Sequence, residues 1–237
     1  MDVTGNVTCA AICGATAFIF GIVTVGTYHK YKKAKRRYEA ARKLRVLNPG
    51  DVLKLDPATT EYVCVRGWAE KVTQSEQILS FTYQNFLIYP SFKRTNFLTN
   101  RTFIPFFVKG RCGNKLYVYP SGNMRMTMLN RHKYQPATWG ETLRFLVLRG
   151  GILTGVTEYF CFNGDHITLF GTLKWDITGK KIILFSKYVS SSGLHDILKS
   201  MKETIDLENP VMIGILFAAF AGFAAYFGYK AYKNRRR

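Results

Sequence analysis

Cysteine is sparse in this chain, and its arrangement excludes two common architectures. There are five cysteines in 237 residues: Cys9, Cys13, Cys64, Cys112 and Cys161. The number is odd and the spacing irregular, so no disulfide framework is expected. No pair has zinc-ribbon spacing, and no metal or cofactor site is expected either. Cys9 and Cys13 lie four apart on one helical face. They read as small apolar residues, ahead of palmitoylation or redox sensing. Acidic residues are scarce too, with 15 Asp/Glu against 34 Lys/Arg and a net charge of +19. More than half of that excess is local: nine Lys/Arg with one Glu occupy residues 29–45, and five more Lys/Arg end the chain from Lys230. Each cluster abuts an apolar stretch, so anionic headgroups explain it more simply than nucleic acid, which is not an expected partner. A chain that is 47% hydrophobic and 15% aromatic is too apolar for disorder.

Charge is missing altogether from residues 3–28 and 210–229. A hydrocarbon core of about 30 Å needs roughly 20 helical residues, so both stretches are long enough to span it. Transmembrane helices are expected over 7–28 and 210–229, with the lipid bilayer as partner. No basic segment precedes the first run, which argues for a retained signal-anchor over a cleaved signal peptide. Pro210 suits the first turn of the second helix, and the tail at 230–237 follows it as in a tail anchor. Small residues recur at Gly14, Ala17 and Gly21, and at Gly214, Ala218 and Gly222. Such stripes let helix backbones approach in lipid, within one chain or in a homo-oligomer. Topology stays open. The positive-inside rule puts both basic clusters in the cytosol, but two spans place them on opposite sides.

Residues 46–208 read as one α+β domain, mostly antiparallel strands with an amphipathic helix, long enough to bury a core. The basic stretch is expected to be helical through 34–44, and Asn48-Pro49-Gly50-Asp51 breaks it. A strand is expected at 61–67. Residues 103–108 lead through Gly110, Gly113 and Asn114 into 116–119, a hairpin pattern. Residues 157–162, Asn163-Gly164 and 166–170 make the clearest hairpin, since Asn-Gly supplies the positive φ of a tight turn. A third hairpin joins 173–177 to 182–185 through Thr178-Gly179-Lys180. Leu194, Ile197, Leu198, Met201 and Ile205 recur at helical spacing.

The order Tyr62-Val-Cys-Val-Arg-Gly67, then Thr102-Phe-Ile-Pro-Phe-Phe107 with Gly113-Asn-Lys-Leu-Tyr-Val-Tyr-Pro120, then Glu141 to Glu158 and Lys180 to Ser186, resembles the GIDE domain. That domain belongs to the family of the mitochondrial ubiquitin ligase activator of NF-κB, whose members also place it between two helices. The resemblance implies an outer mitochondrial membrane protein with its domain in the intermembrane space and both ends in the cytosol. It departs at one point. Family ligases carry a C-terminal RING finger with two zinc sites, whereas no cysteine follows Cys161 and only His166 and His195 follow it among histidines. Ligase activity is therefore not expected. The expected function is a non-catalytic scaffold that binds membrane proteins or a related ligase, through Pro105, Phe106, Phe107 and Tyr117 and through Leu194, Ile197 and Met201. A two-span structural protein of the endoplasmic reticulum or a viral envelope is the alternative.

No nucleophile constellation stands out. Ser190-Ser191-Ser192 with His195-Asp196 has triad composition, but adjacent His and Asp on a helix start point apart, and a helix cap explains the serines. Asp165 and His166 with Cys161 read as a turn Asp and a strand His ahead of a metal set. Gly150-Gly151 and Gly155 lack phosphate-loop spacing. Asn6 and Asn100 head glycosylation sequons, and Asn100 matters if the domain faces a secretory lumen.

Overall fold

The computed structural model describes residues 3–72, 77–88, 93–149, 151–207 and 209–235. Gly150, and Arg236 and Arg237 of the basic tail, lie outside them. The chain divides into two compact units, residues 1–39 with 201–237, and residues 40–200.

The first unit contains most of α1 (Val3–Lys43) and all of α5 (Val211–Arg235). The first apolar run and the basic stretch are thus one uninterrupted helix, about 60 Å long at 1.5 Å per residue. Its hydroxyls satisfy themselves: Thr8, Thr16, Thr24 and Thr27 each donate to the carbonyl four residues back, at 2.7–3.0 Å. That pattern removes polar groups from an apolar surface without outside partners. Asn209 Oδ1 accepts from the Val211 N–H at 3.2 Å at the start of α5. Both helices are long and apolar enough to cross a membrane, and almost none of either apolar window is covered by protein.

The first strand of the second unit is β1 (Val46–Leu47), which pairs in parallel with β2 (Val63–Lys71). Between them lies the short α2 (Pro49–Val52), with Pro49 in its first turn. β2 pairs antiparallel with β5 (Phe106–Lys109), and β5 with β6 (Lys115–Met128). β6 runs parallel to β10 (Ile182–Ser190), which pairs antiparallel with β9 (His166–Trp175). β9 also pairs back onto β2, with Val63 opposite Gly171, so the five strands close into a ring. Their order around the ring is first, second, third, fifth, fourth, with third and fifth parallel. This is the five-stranded Greek-key topology of the OB-fold.

Closure is tight at Gly171. A Cβ there would strike the Phe185 carbonyl, so only glycine allows β9 and β10 this approach. Alternation along the strands turns Val63, Val65, Phe106, Val108, Leu116, Val118 and Leu184 inward, essentially without exposure. Burying such side chains contributes about 1.5–3 kcal/mol each.

Two insertions in the barrel build a second sheet. β3 (Gln77–Ile88) and β4 (Lys93–Phe103) fall between β2 and β5. β7 (Arg131–Pro136), α3 (Trp139–Arg149) and β8 (Gly151–Phe162) fall between β6 and β9. They form an antiparallel sheet in the order β4-β3-β8-β7. Its Ile78, Leu79, Phe81 and Cys161 join the barrel's core cluster. Phe145 of α3 packs on Phe86 at 5.2 Å, and Thr142 Oγ1 donates to the Leu153 carbonyl at 3.1 Å. α4 (Leu194–Leu207) follows the barrel.

The α+β class and antiparallel bias hold, as do the hairpins β5–β6 and β9–β10. The one at 157–170 does not. Asn163-Gly164 makes a turn, with Gly164 at φ +85°, but β8 and β9 enter different sheets. The turn is bound sideways to β2: Lys71 N donates to Asn163 Oδ1 at 3.0 Å and Gly164 N to the Ala69 carbonyl at 2.7 Å. Those bonds send the chain from one sheet to the other.

Candidate functional site

The barrel's outward positions on β5, β6 and β10 make its most distinctive surface. Phe107 lies opposite Tyr117 in register, their ring centroids 5.4 Å apart. One row along, Tyr119 lies opposite Phe185, at 5.5 Å. Lys174 Nζ sits 5.2 Å from the centroid of Phe185, within cation–π range. Phe107, Tyr117 and the half-exposed Trp175 line a groove of about 500 Å³ with Lys115, Lys180 and Lys181. Aromatic faces flanked by ammonium groups favour a ligand with planar or apolar parts and negative charge.

The groove's rim is held by the β9–β10 turn. The Asp176 carboxylate accepts from Thr178 Oγ1 at 2.7 Å, Lys180 N at 2.8 Å and Lys181 N at 3.1 Å. The Thr178 bond foremost, helped by those backbone N–H groups and the Lys181 charge, holds its carboxyl below the usual range. Asp176 thus organises the turn while the Lys180 and Lys181 side chains stay exposed. Lys115 bonds to Glu70 Oε1. The unit as a whole carries 22 Lys/Arg against 10 Asp/Glu across residues 40–200, which reinforces attraction of anions.

The expected interaction residues separate on these strands. Phe107 and Tyr117 point outward and Pro105 is partly exposed, but Phe106 is buried in the core. Adjacent residues on a strand face opposite sides, so Phe106 corrects to a packing residue. In α4, Leu194 is partly exposed while Ile197 and Met201 are buried, which removes both from any open surface. In the helical unit Ala17 is buried, and a Cβ on Gly21 would meet Phe217 at 3.3 Å. Gly14, Gly214 and Gly222 have nothing within 4 Å of a built Cβ, and Ala218 is exposed. The helices touch through rings instead: Phe20 stacks on Phe220 at 5.5 Å. The small-residue stripe of α5 is therefore not the face that meets α1.

A second cavity, of about 160 Å³, gathers Asp165, His166 and Ser191. Their chemistry is already committed. Asp165 accepts from the Phe162 N–H at 2.8 Å and pairs with Arg131 at 3.1 Å. Ser191 Oγ bonds to Asn130 Oδ1 at 2.8 Å. His166 packs against Trp68 at 5.1 Å, and partial burial, then the charges of Arg66 and Arg111, hold its pKa down. Activating a hydroxyl needs an uninterrupted hydrogen-bond chain. No such chain links these three among the described residues.

Ser190 Oγ accepts from the N–H groups of Ser192 and Gly193, forming a turn ahead of α4 where a helix cap was expected. Cys64 and Cys161 are completely buried, and burial pushes both thiols up to about 12, so neither is poised as a thiolate. Asn6 is completely buried, whereas Asn100 is exposed on β4. Sequence reasoning missed Trp175, Lys180 and Lys181. Their signal was placement on the β9–β10 turn, next in the ring to β6. No known protein family matches the chain, and no curated protein matches it.

Proposed function

We propose that the chain is a two-span protein of the outer mitochondrial membrane whose barrel domain is a non-catalytic docking module for acidic surfaces of membrane proteins, a related ligase among them. The observation that carries this reading is the bareness of the two apolar helices. Helices of that length in water would leave side chains such as Phe18, Ile19, Ile22 and Phe223 exposed at large cost, and lipid removes it. The order of the domain's motifs, which resembles the GIDE domain, supports the choice of membrane. The face with Phe107, Tyr117, Lys180 and Lys181 supports an acidic partner.

The test has two arms. A protease site inserted in the exposed turn at 111–114 is protected in intact mitochondria and cleaved once the outer membrane is ruptured. Cleavage in intact organelles contradicts the placement. A mass shift on endoglycosidase treatment, removed by Asn100→Gln, replaces it with a secretory lumen. In cross-linked pull-downs of the full chain, Lys180→Glu with Lys181→Glu lowers partner recovery several-fold; unchanged recovery removes the groove from the account.

The barrel topology favours a second reading, single-stranded nucleic acid. OB-folds bind oligonucleotides on the second and third strands, here β5 and β6, where rings serve as stacking platforms. Binding of a labelled oligonucleotide that weakens steeply with salt and is lost in Tyr117→Ala decides for it.

A further inference from the structure

We propose that α3 is an interfacial foot that lies in the headgroup boundary of the bilayer and seats the domain on lipid. The inference rests on the two-span reading and adds a third, non-spanning contact.

Four large apolar residues of α3 are bare: Trp139 at 84%, Leu143 at 56%, Leu146 at 43% and Val147 at 82% exposure. At 100° per residue they fall within about 100° of arc, a single stripe. The opposite face is anchored by Phe145 on Phe86, and one flank by Thr142 bonded to Leu153. A capping box fixes the helix start: the Thr138 N–H and Oγ1 donate to Glu141 Oε2 at 2.9 and 2.8 Å, and the Glu141 N–H returns to Thr138 Oγ1 at 3.4 Å. The stripe is thus displayed by a rigid helix. A soluble domain has reason to bury such a surface, and this one does not.

The occupant is lipid for three reasons. The four side chains expose on the order of 500 Å², a large patch for a soluble surface but below the ~800 Å² each partner gives a stable protein interface. Their chemistry is that of an interfacial helix, an indole beside aliphatic groups, with the exposed Arg144 flanking the stripe and exposed Lys133 on neighbouring β7 to meet anionic headgroups. The chain itself supplies the surface. Twenty residues separate the last barrel strand, ending at Ser190, from the start of α5 at Val211, so a bilayer crossed by α5 is held at high local concentration.

The test uses the full chain with Trp68→Phe and Trp175→Phe, leaving Trp139 as sole tryptophan, in vesicles of mixed phosphatidylcholine and phosphatidylserine. Emission is expected at blue-shifted wavelength. Brominated acyl chains should remove more than half its intensity, and iodide should leave it unaffected. Adding Leu143→Glu and Val147→Glu, both at exposed positions, should abolish the bromine quenching while near-UV circular dichroism stays unchanged. Protein that floats with the vesicles yet exposes Trp139 to iodide overturns the foot and leaves the spans standing. Shielding from both quenchers means that protein covers the stripe, and it overturns the proposal too. Failure to float overturns the two-span reading and the foot with it.

Discussion

In the helical unit Phe18 is 70% exposed, whereas in the barrel domain Phe106 is completely buried. The two units use the same residue types in opposite senses. Around α1 and α5 the rings and aliphatic chains face out, and polar groups such as the Thr8 and Thr24 hydroxyls turn back onto their own helix. In the barrel the aliphatic core side chains and Phe106 turn in, and lysines flank the few rings left outside. Opposite placement of identical chemistry is what a difference of solvent would call for: the barrel seals its apolar side chains in a core, whereas α1 and α5 are long and apolar enough to cross a membrane and leave theirs bare. α3 belongs to the domain yet displays its apolar face as the helices do.

The strongest way to break this comparison is to truncate one ring on each side. Phe106→Ala should lower domain stability by about 3–5 kcal/mol, as for a sealed aromatic, while Phe18→Ala should change it by less than about 0.5 kcal/mol. Denaturant unfolding of the full chain in detergent, followed by near-UV circular dichroism, separates them. Equal losses would contradict the assignment of inside and outside. Next comes backbone approach: Gly171→Ala pushes a methyl into the Phe185 carbonyl and should cost about 1–3 kcal/mol. Gly214→Ala, with open space around it, should not destabilise α5. Thermal melts of the two variants sharpen the contrast.

Thr138→Ala tests α3. Losing the capping box should cost about 1 kcal/mol locally, seen as faster hydrogen exchange over α3 with the barrel unchanged. The smallest effect concerns acid. His166 titrates below its ordinary value near 6.5, so above 6.5 both states are neutral and the domain keeps full stability. As pH falls below 6.5 the unfolded chain takes the proton first, and stability declines. His166→Gln should flatten that decline; an unchanged slope assigns it elsewhere.

What could be read in advance was local. Thr178-Gly179-Lys180 between alternating strands specifies the β9–β10 hairpin because both partners are adjacent in sequence, with Gly179 at φ +68°. Asn163-Gly164 has equally good turn chemistry but mispredicts pairing. β8 finds β3 and β9 finds β2, and these long-range choices follow from barrel closure. The second sheet arises from two insertions, one ending at Phe103 and the other beginning at Arg131, and no periodicity within either can reveal their pairing. The site divided the same way. Strand alternation already separates Phe107 from Phe106, while joining Trp175, Lys180 and Lys181 to Tyr117 requires the parallel β6–β10 pairing.

Alkaline carbonate treatment of membranes carrying the full chain puts the solvent argument to its most direct trial. With α1 and α5 threaded through hydrocarbon, the protein stays in the pelleted membranes and floats with lipid in a density gradient. Recovery in the supernatant would mean that these helices find their cover in protein, and the division into a lipid-built unit and a water-built unit would be wrong.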